Sequence, residues 1–183
     1  MKKIIIALLC VFSVFNFMNA QDKFITKTGV INFEASVPSF EEVNAKNENV
    51  SAILKSTGEF ASLALMKGFR FKVALMEEHF NENYAETSKF PKTTFKGNIE
   101  DFDISQLDEN DKTFTVKGVI TMHGVDKSIE VPASIKMVEN TIYLSTIFVL
   151  KPGDFDIEIP SIVSSKIAEE VNVSANFILK SKS

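Results

Sequence analysis

Few side chains in this sequence could do chemistry. His79 and His123 are its two histidines. His79 follows Glu77 and Glu78, and His123 has Asp126 close behind it. Such a pair could serve as metal ligands or as an acid and a base. No third ligand stands at metal spacing, and no serine or cysteine nucleophile signature accompanies them. The residues read more simply as structural. His123 orders its turn through a side-chain to backbone hydrogen bond, and His79 caps or packs a helix. Asp154, Asp156 and Glu158 line one strand face but lack the glycine and the later bidentate glutamate of a calcium loop. Asp101, Asp103, Asp108, Glu109 and Asp111 read as a solvated loop. Asn49-Val50-Ser51 and Asn172-Val173-Ser174 match glycosylation sequons, a pattern frequent by chance. No catalytic residue, metal site or cofactor is assigned. A hydrolase or metalloenzyme built on His79 or His123 stands as a third class of function.

The apolar residues pose the larger question. The chain has 17 Phe, two Tyr and no Trp. Phe has no polar handle, so a cavity lined with it suits hydrocarbon better than sugar. Phe33, Leu63, Leu65, Phe69, Phe71, Met76, Phe80, Phe95, Met122 and Phe148 are either a filled core or the lining of a ligand tunnel. Both need the same alternation. Met suits a deformable wall, and each buried CH₂ contributes about 0.8 kcal/mol. A long apolar chain could therefore bind tightly without a polar motif.

The elements that would position these residues are mostly strands. Ile31, Phe33, Ala35 and Val37 alternate with Asn32, Glu34 and Ser36, and Pro38 ends that strand. Val50 to Leu54 follows an Asn47-Glu48-Asn49 turn. Gly58 to Met66 is apolar on both faces, the pattern of a strand buried on two sides. Phe69 to Val73 alternates, then Met76, Phe80 and Tyr84 fall at helical spacing. Lys89-Phe90-Pro91 breaks that helix. Phe95, Gly97, Ile99, Phe102 and Ile104 make a strand with a slip near Asp101. Later strands run through Phe114 to Met122, Ile129 to Met137, Ile142 to Leu150, Phe155 to Ile159 and Val171 to Leu179. His123-Gly124-Val125-Asp126-Lys127 is a turn and Glu139-Asn140 another, Pro132 implies a sheet edge or bulge, and Ser161 to Glu170 is a candidate helix. Some eight or nine strands on short polar turns indicate an antiparallel sandwich or barrel. About eight strands closed into a barrel leave room for one small ligand.

The ends and the composition narrow the class. Lys2 and Lys3, the apolar run Ile4 to Val14, and Phe17-Met18-Asn19-Ala20 before Gln21 read as a cleaved secretory signal over 1–20. Residues 21–183 then form one domain. Cys10 is the only cysteine of the chain. Leu8 and Leu9 precede it where a lipid-anchored signal needs small residues. The mature chain therefore has no disulfide and no thiolate site. The net charge of −4, with acids and lysines interspersed, does not suit nucleic acid. No later apolar run is long enough to span a membrane.

Three stretches together resemble the YceI-like family of secreted bacterial lipid-binding proteins. The first is Glu77-Glu78-His79-Phe80, Tyr84, Lys89-Phe90-Pro91 and Thr94-Phe95-Lys96-Gly97. The second is Val119 to Lys127, with Met122-His123-Gly124-Val125 at its turn. The third is Phe148 to Asp156. The third departs from the family pattern, with Leu150-Lys151-Pro152 in place of an arginine and Asp156 where glycine is common. The histidines often found near the family's N-terminus are replaced by Ile31-Asn32-Phe33-Glu34. The resemblance implies an all-β, extended, lipocalin-like antiparallel barrel with a short helix before Lys89-Phe90-Pro91. It implies that the ten apolar residues named above line the lumen. The implied function is non-enzymatic: a periplasmic protein holding a polyisoprenoid or isoprenoid-quinone-like amphiphile for transport, storage or sequestration. Its implied partner is that lipid, with a homodimer as the candidate assembly. The alternative is a non-catalytic structural or interaction module of the cell envelope with a filled core.

Overall fold

Period-two alternation turns one face of each strand inward and the other to solvent. In a computed structural model of the protein, residues 22–38, 40–161 and 167–182 are described. The strands are β1 (Lys23–Ser36), β2 (Asn44–Lys55), β3 (Glu59–Leu65), β4 (Arg70–Phe71), β5 (Lys92–Ile99), β6 (Lys112–Met122), β7 (Val125–Val138), β8 (Thr141–Leu150) and β9 (Ile167–Lys182). Their order is β1-β9-β8-β7-β6-β5-β3-β2, and a β1–β2 ladder closes the sheet on itself. The two-residue β4 adds only to the flank of β2. The result is the closed, antiparallel, eight-stranded barrel that the alternation and the resemblance both pointed to. Closure removes the long free edges that an open sheet would expose.

The turns follow backbone chemistry. Met122 pairs with Val125 and Val138 pairs with Thr141, so each hairpin has a two-residue loop. Positive φ at His123 (53°), Gly124 (82°), Glu139 (46°) and Asn140 (61°) gives both loops the twist that suits tight hairpins. Pro132 sits where the β7–β8 ladder stops, since pairing with β8 begins at Ala133. Residues 125–131 of β7 pair with β6 alone. That is the local sheet edge expected of a strand proline.

Several expectations change. β1 begins at Lys23, well before Ile31. Asn47-Glu48-Asn49 is no turn but an irregularity inside β2, where the register to β1 shifts. Asn47 is buried there; its Nδ2 donates to the Leu65 carbonyl (2.9 Å) and its Oδ1 accepts from Asn49 N (2.9 Å). Phe102 and Ile104 do not continue β5, which ends at Ile99 because Asp101 takes a left-handed backbone (φ 50°). Phe155 lies in a short 3-10 turn, Pro152–Phe155, and residues 157–160 form no strand. Ile167–Glu170 belong to β9 rather than to a helix. Residues 162–166 of that expected helix, and the whole 1–20 segment read as a signal, lie outside the described residues. Among the described residues no helix is long and apolar enough to cross a membrane.

The barrel interior divides in two. At the end marked by the β2–β3, β5–β6 and β7–β8 connections, large side chains meet. Leu54, Ile135, Ile142 and Leu179 are fully buried, with Phe24, Phe60, Ile99 and Phe177 close to it. Phe95 points into this packed half; its ring lies 6.0 Å from Phe60. The ring covers the cross-strand pair Gly97 and Gly118. A Cβ on Gly97 would overlap the Lys117 carbonyl oxygen, 2.7 Å from the Gly118 Cα and 2.8 Å from the Phe95 ring. Glycine is needed there because two backbones and a ring share one space. Gly97→Ala should therefore lower unfolding free energy by about 2 kcal/mol, read by urea denaturation. Unchanged stability would contradict this close approach.

Candidate functional site

At the opposite end, three longer connections border the barrel mouth with their described residues: 37–38 and 40–43 between β1 and β2, 66–91 between β3 and β5, and 151–161 between β8 and β9. A cavity of about 490 Å³ is lined from the strands by Ile31, Phe33, Ala64, Ile120, Phe148 and Val173, among others. That size lies within the ~300–1,000 Å³ range of small-molecule sites. Among the larger inward side chains on this side stand several short ones: Ala35, Ala64, Thr93, Val171 and Val173. They cannot meet across the lumen as Phe24, Leu54, Phe60 and Leu179 do below. Among the described lining residues only Glu41, His79, Tyr84 and Thr93 carry polar side chains.

A helical segment covers part of the mouth. Helix α1 (Ala74–His79) continues into a wider π turn, Phe80–Tyr84. Six residues of α-helix are too few to be stable alone, so tertiary contacts hold this segment. Met76, Phe80 and Tyr84, at the helical spacing read from the sequence, all line the cavity. Phe80 centres an aromatic cluster, with ring centroids 5.1 Å from Phe71, 5.6 Å from Phe33 and 5.9 Å from Phe69. Phe33 adds contacts to Phe69 (5.3 Å) and Phe71 (5.7 Å). Such pairs contribute roughly 0.5–1.5 kcal/mol each beyond area burial. The helical segment ends earlier than the proline predicted, because Glu86 takes a left-handed backbone (φ 41°).

Polar contacts fasten both ends of this segment. At its start, Glu77 Oε1 accepts from Arg70 Nη1 (2.8 Å) and Oε2 accepts from Phe71 N (3.1 Å). At its end, Glu86 Oε2 lies 2.8 Å from His123 Nε2. His123 Nδ1 lies 3.0 Å from the Phe155 carbonyl oxygen. His123 thus makes the expected side-chain to backbone hydrogen bond, but to a loop 32 residues away rather than within its own turn. His79 is exposed at the mouth, and helix α1 has no side-chain cap.

The candidate lining residues separate cleanly. Phe33, Phe69, Phe71, Met76, Phe80, Met122 and Phe148 come together around the cavity. Leu63 and Leu65 do not. In β3 Phe60 and Ala64 are buried, as is Met66 just after the strand, and Leu65 is 56 % exposed on the outer surface. Phe95 faces inward but packs into the filled half. The sequence reading missed Ala64, Met66, Ile120 and Val173; strict alternation with buried neighbours was the signal that could have found them.

The carboxylates are engaged separately. Asp154 pairs with Lys127, and Asp156 has a left-handed backbone (φ 55°). Hydrogen bonds from the Ser105 side chain and backbone hold Asp103 below the usual carboxylate range. The Asn110 backbone N–H does so first for Asp108, and the Ser134 hydroxyl for Asp111. Asp103 and Asp108 thus bond within their own turns, and Asp111 ties to Ser134 and Lys136 of β7. Among the described residues no group of three or more His, Cys, Asp or Glu is placed to hold a metal ion.

The family model for the YceI-like domain matches residues 15–179. The chain belongs to the YceI-like family. Solved structures agree on the fold. A polyisoprenoid binding domain from Saccharophagus degradans, implicated in plant cell wall breakdown, superimposes with a TM-score of 0.77 at 15% identity, covering 88% of this chain and 99% of that one. BcnA of Burkholderia cenocepacia gives 0.68 at 14% identity, over 82% and 95% of the two chains. A YCEI protein of Campylobacter jejuni gives 0.63 at 16%, over 80% and 89%. No curated protein matches this YceI-like chain.

Phe80→Ala would remove three ring contacts at once. It should lower unfolding free energy by about 2 kcal/mol, since Phe80 is only half-buried. Amide protection across 80–87 should fall further than in the strands, as hydrogen exchange would show. A uniform loss throughout the barrel would contradict the aromatic cluster as the local hold.

Proposed function

We propose that this protein is a secreted, periplasmic carrier that holds a polyisoprenoid or isoprenoid-quinone-like amphiphile in its barrel and does no chemistry on it. The observation that carries this reading is the apolar cavity of about 490 Å³ beneath the 66–91 connection. Burying a prenyl chain there would contribute about 0.8 kcal/mol per CH₂, so binding needs no polar motif. Phe33, Phe69, Phe71, Met76, Phe80, Met122 and Phe148 would touch the chain, and Glu41, His79, Tyr84 and Thr93 are the polar groups within reach of its head. The S. degradans relative, described as a polyisoprenoid binding domain, supports the ligand class. Secretion rests on the basic and apolar pattern of residues 1–20. An envelope module with a filled core accounts less well for the short side chains that leave the mouth half open.

Ala64 is buried on the cavity wall, so a larger side chain there would occupy ligand volume. Wild-type protein should bind a short-chain isoprenoid quinone with 1:1 stoichiometry in calorimetric titration. Ala64→Phe should weaken that binding at least about tenfold, the equivalent of losing two buried CH₂ contacts. Equal affinity in the two proteins, or no binding by the wild type, would overturn the reading.

A further inference from the structure

The cavity ends on a row of rings. Thr93 is the lowest lining residue of β5 and Ile120 the lowest of β6. By alternation the next inward residues are Phe95 and Gly118. The Phe95 ring lies over Gly97 and Gly118. It stands 6.0 Å from the Phe60 ring, and Phe60 meets Phe177 edge to face at 5.4 Å. Phe177 in turn covers Gly29 of β1, where a Cβ would come within 2.5 Å of its ring. β3 and β9 are separated by β2 and β1 around the barrel, so the Phe60–Phe177 contact crosses the lumen. Both residues are buried. The outer two rings of this row rest on backbone, at glycines, and backbone does not rotate aside as a side chain can.

The polar lining groups stand at the other end. Glu41 comes from the connection between β1 and β2, and His79 and Tyr84 come from the 66–91 connection. Thr93 lies on a strand, and its hydroxyl donates to Met66 Sδ (3.1 Å). An amphiphile in this site keeps its head at the mouth and points its apolar end at the rings. Met66, Met76 and Met122 line the wall above them, so their adaptable side chains adjust the width of the site and not its depth.

Volume then sets length. An apolar cavity of about 150 Å³ takes one benzene, about 25 Å³ per carbon. At that packing the cavity of about 490 Å³ takes roughly 20 carbons, about four isoprene units. We propose that the Phe95–Phe60–Phe177 row is a chain-length stop, so that the protein encloses about four isoprene units and a longer chain carries its remainder out through the mouth into water. The isoprenoid identity of the chain rests on the ligand-holding reading above, whereas the stop holds for any apolar chain.

The test is calorimetric titration with chains of two to six isoprene units. Each carries the same uncharged tetraethylene glycol head and is kept below its own aggregation limit. In the wild type, affinity should rise at least about tenfold with each unit up to the fourth, and less than about twofold with each one after it. Phe95→Ala removes the ring directly below Thr93, about one isoprene unit of carbon, and should move the break out to about five units. Phe80→Ala, at the mouth, should weaken binding of every chain and leave the break where it is. Affinity that climbs evenly to six units would overturn the stop, and this wild-type result decides even if Phe95→Ala does not fold. A break unmoved by Phe95→Ala, or moved as far by Phe80→Ala, would overturn it too. Unbranched alkyl chains of 12 to 26 carbons on the same head separate the two readings. A break near 20 carbons in that series, without binding of the isoprenoids, would overturn the isoprenoid reading and support the stop. Isoprenoid binding without a break would do the reverse, and no binding by either series would overturn both.

Discussion

An eight-stranded barrel encloses little more volume than its own inward side chains occupy. The size of those side chains therefore decides whether the lumen is core or cavity. Here one sequence does both. Phe24, Leu54, Phe60, Ile135, Phe177 and Leu179 close the lower half, while Ala35, Ala64, Val171 and Val173 leave the upper half open. The filled half supplies the stability that a chain with no cysteine beyond Cys10 needs from packing alone. It frees the upper half to stay empty.

The open half needs a cover, and the connection between β3 and β5 supplies one. That cover is too short to be a stable helix. It is held by an aromatic cluster on its inner side and by Glu77 and Glu86 at its two ends. Apolar contacts give it affinity for the barrel, and polar contacts fix where it sits. The same division of labour describes the cavity, where greasy walls surround a few polar groups near the mouth.

Much of the fold was legible because strand alternation is a local signal. The inward run Ile31, Phe33 and Ala35 and the Glu139-Asn140 hairpin follow from it, whereas the turn expected over His123 to Lys127 is only two residues long, because Val125 to Lys127 already pair with β6. β3 shows where it fails. Phe60, Ala64 and Met66 alternate with Ala61, Leu63 and Leu65, so no polar face sets the register, and Leu63 and Leu65 stand away from the cavity. Phe95 faces inward as expected, but its ring turns down onto Gly97 and Gly118, a packing choice with no sequence signature. Nor could periodicity reveal that His123 reaches Phe155 and Glu86, 32 and 37 residues distant. The Met122-His123-Gly124 motif marked the family, and its structural work became visible only with the three connections in place.

The most direct measurement is native mass spectrometry of the protein purified from its host without detergent extraction. The account predicts the mass of the mature chain plus one apolar lipid, released as a single isoprenoid species by organic solvent. A bare chain mass under the same gentle conditions, together with an interior that proves solidly packed, would contradict it.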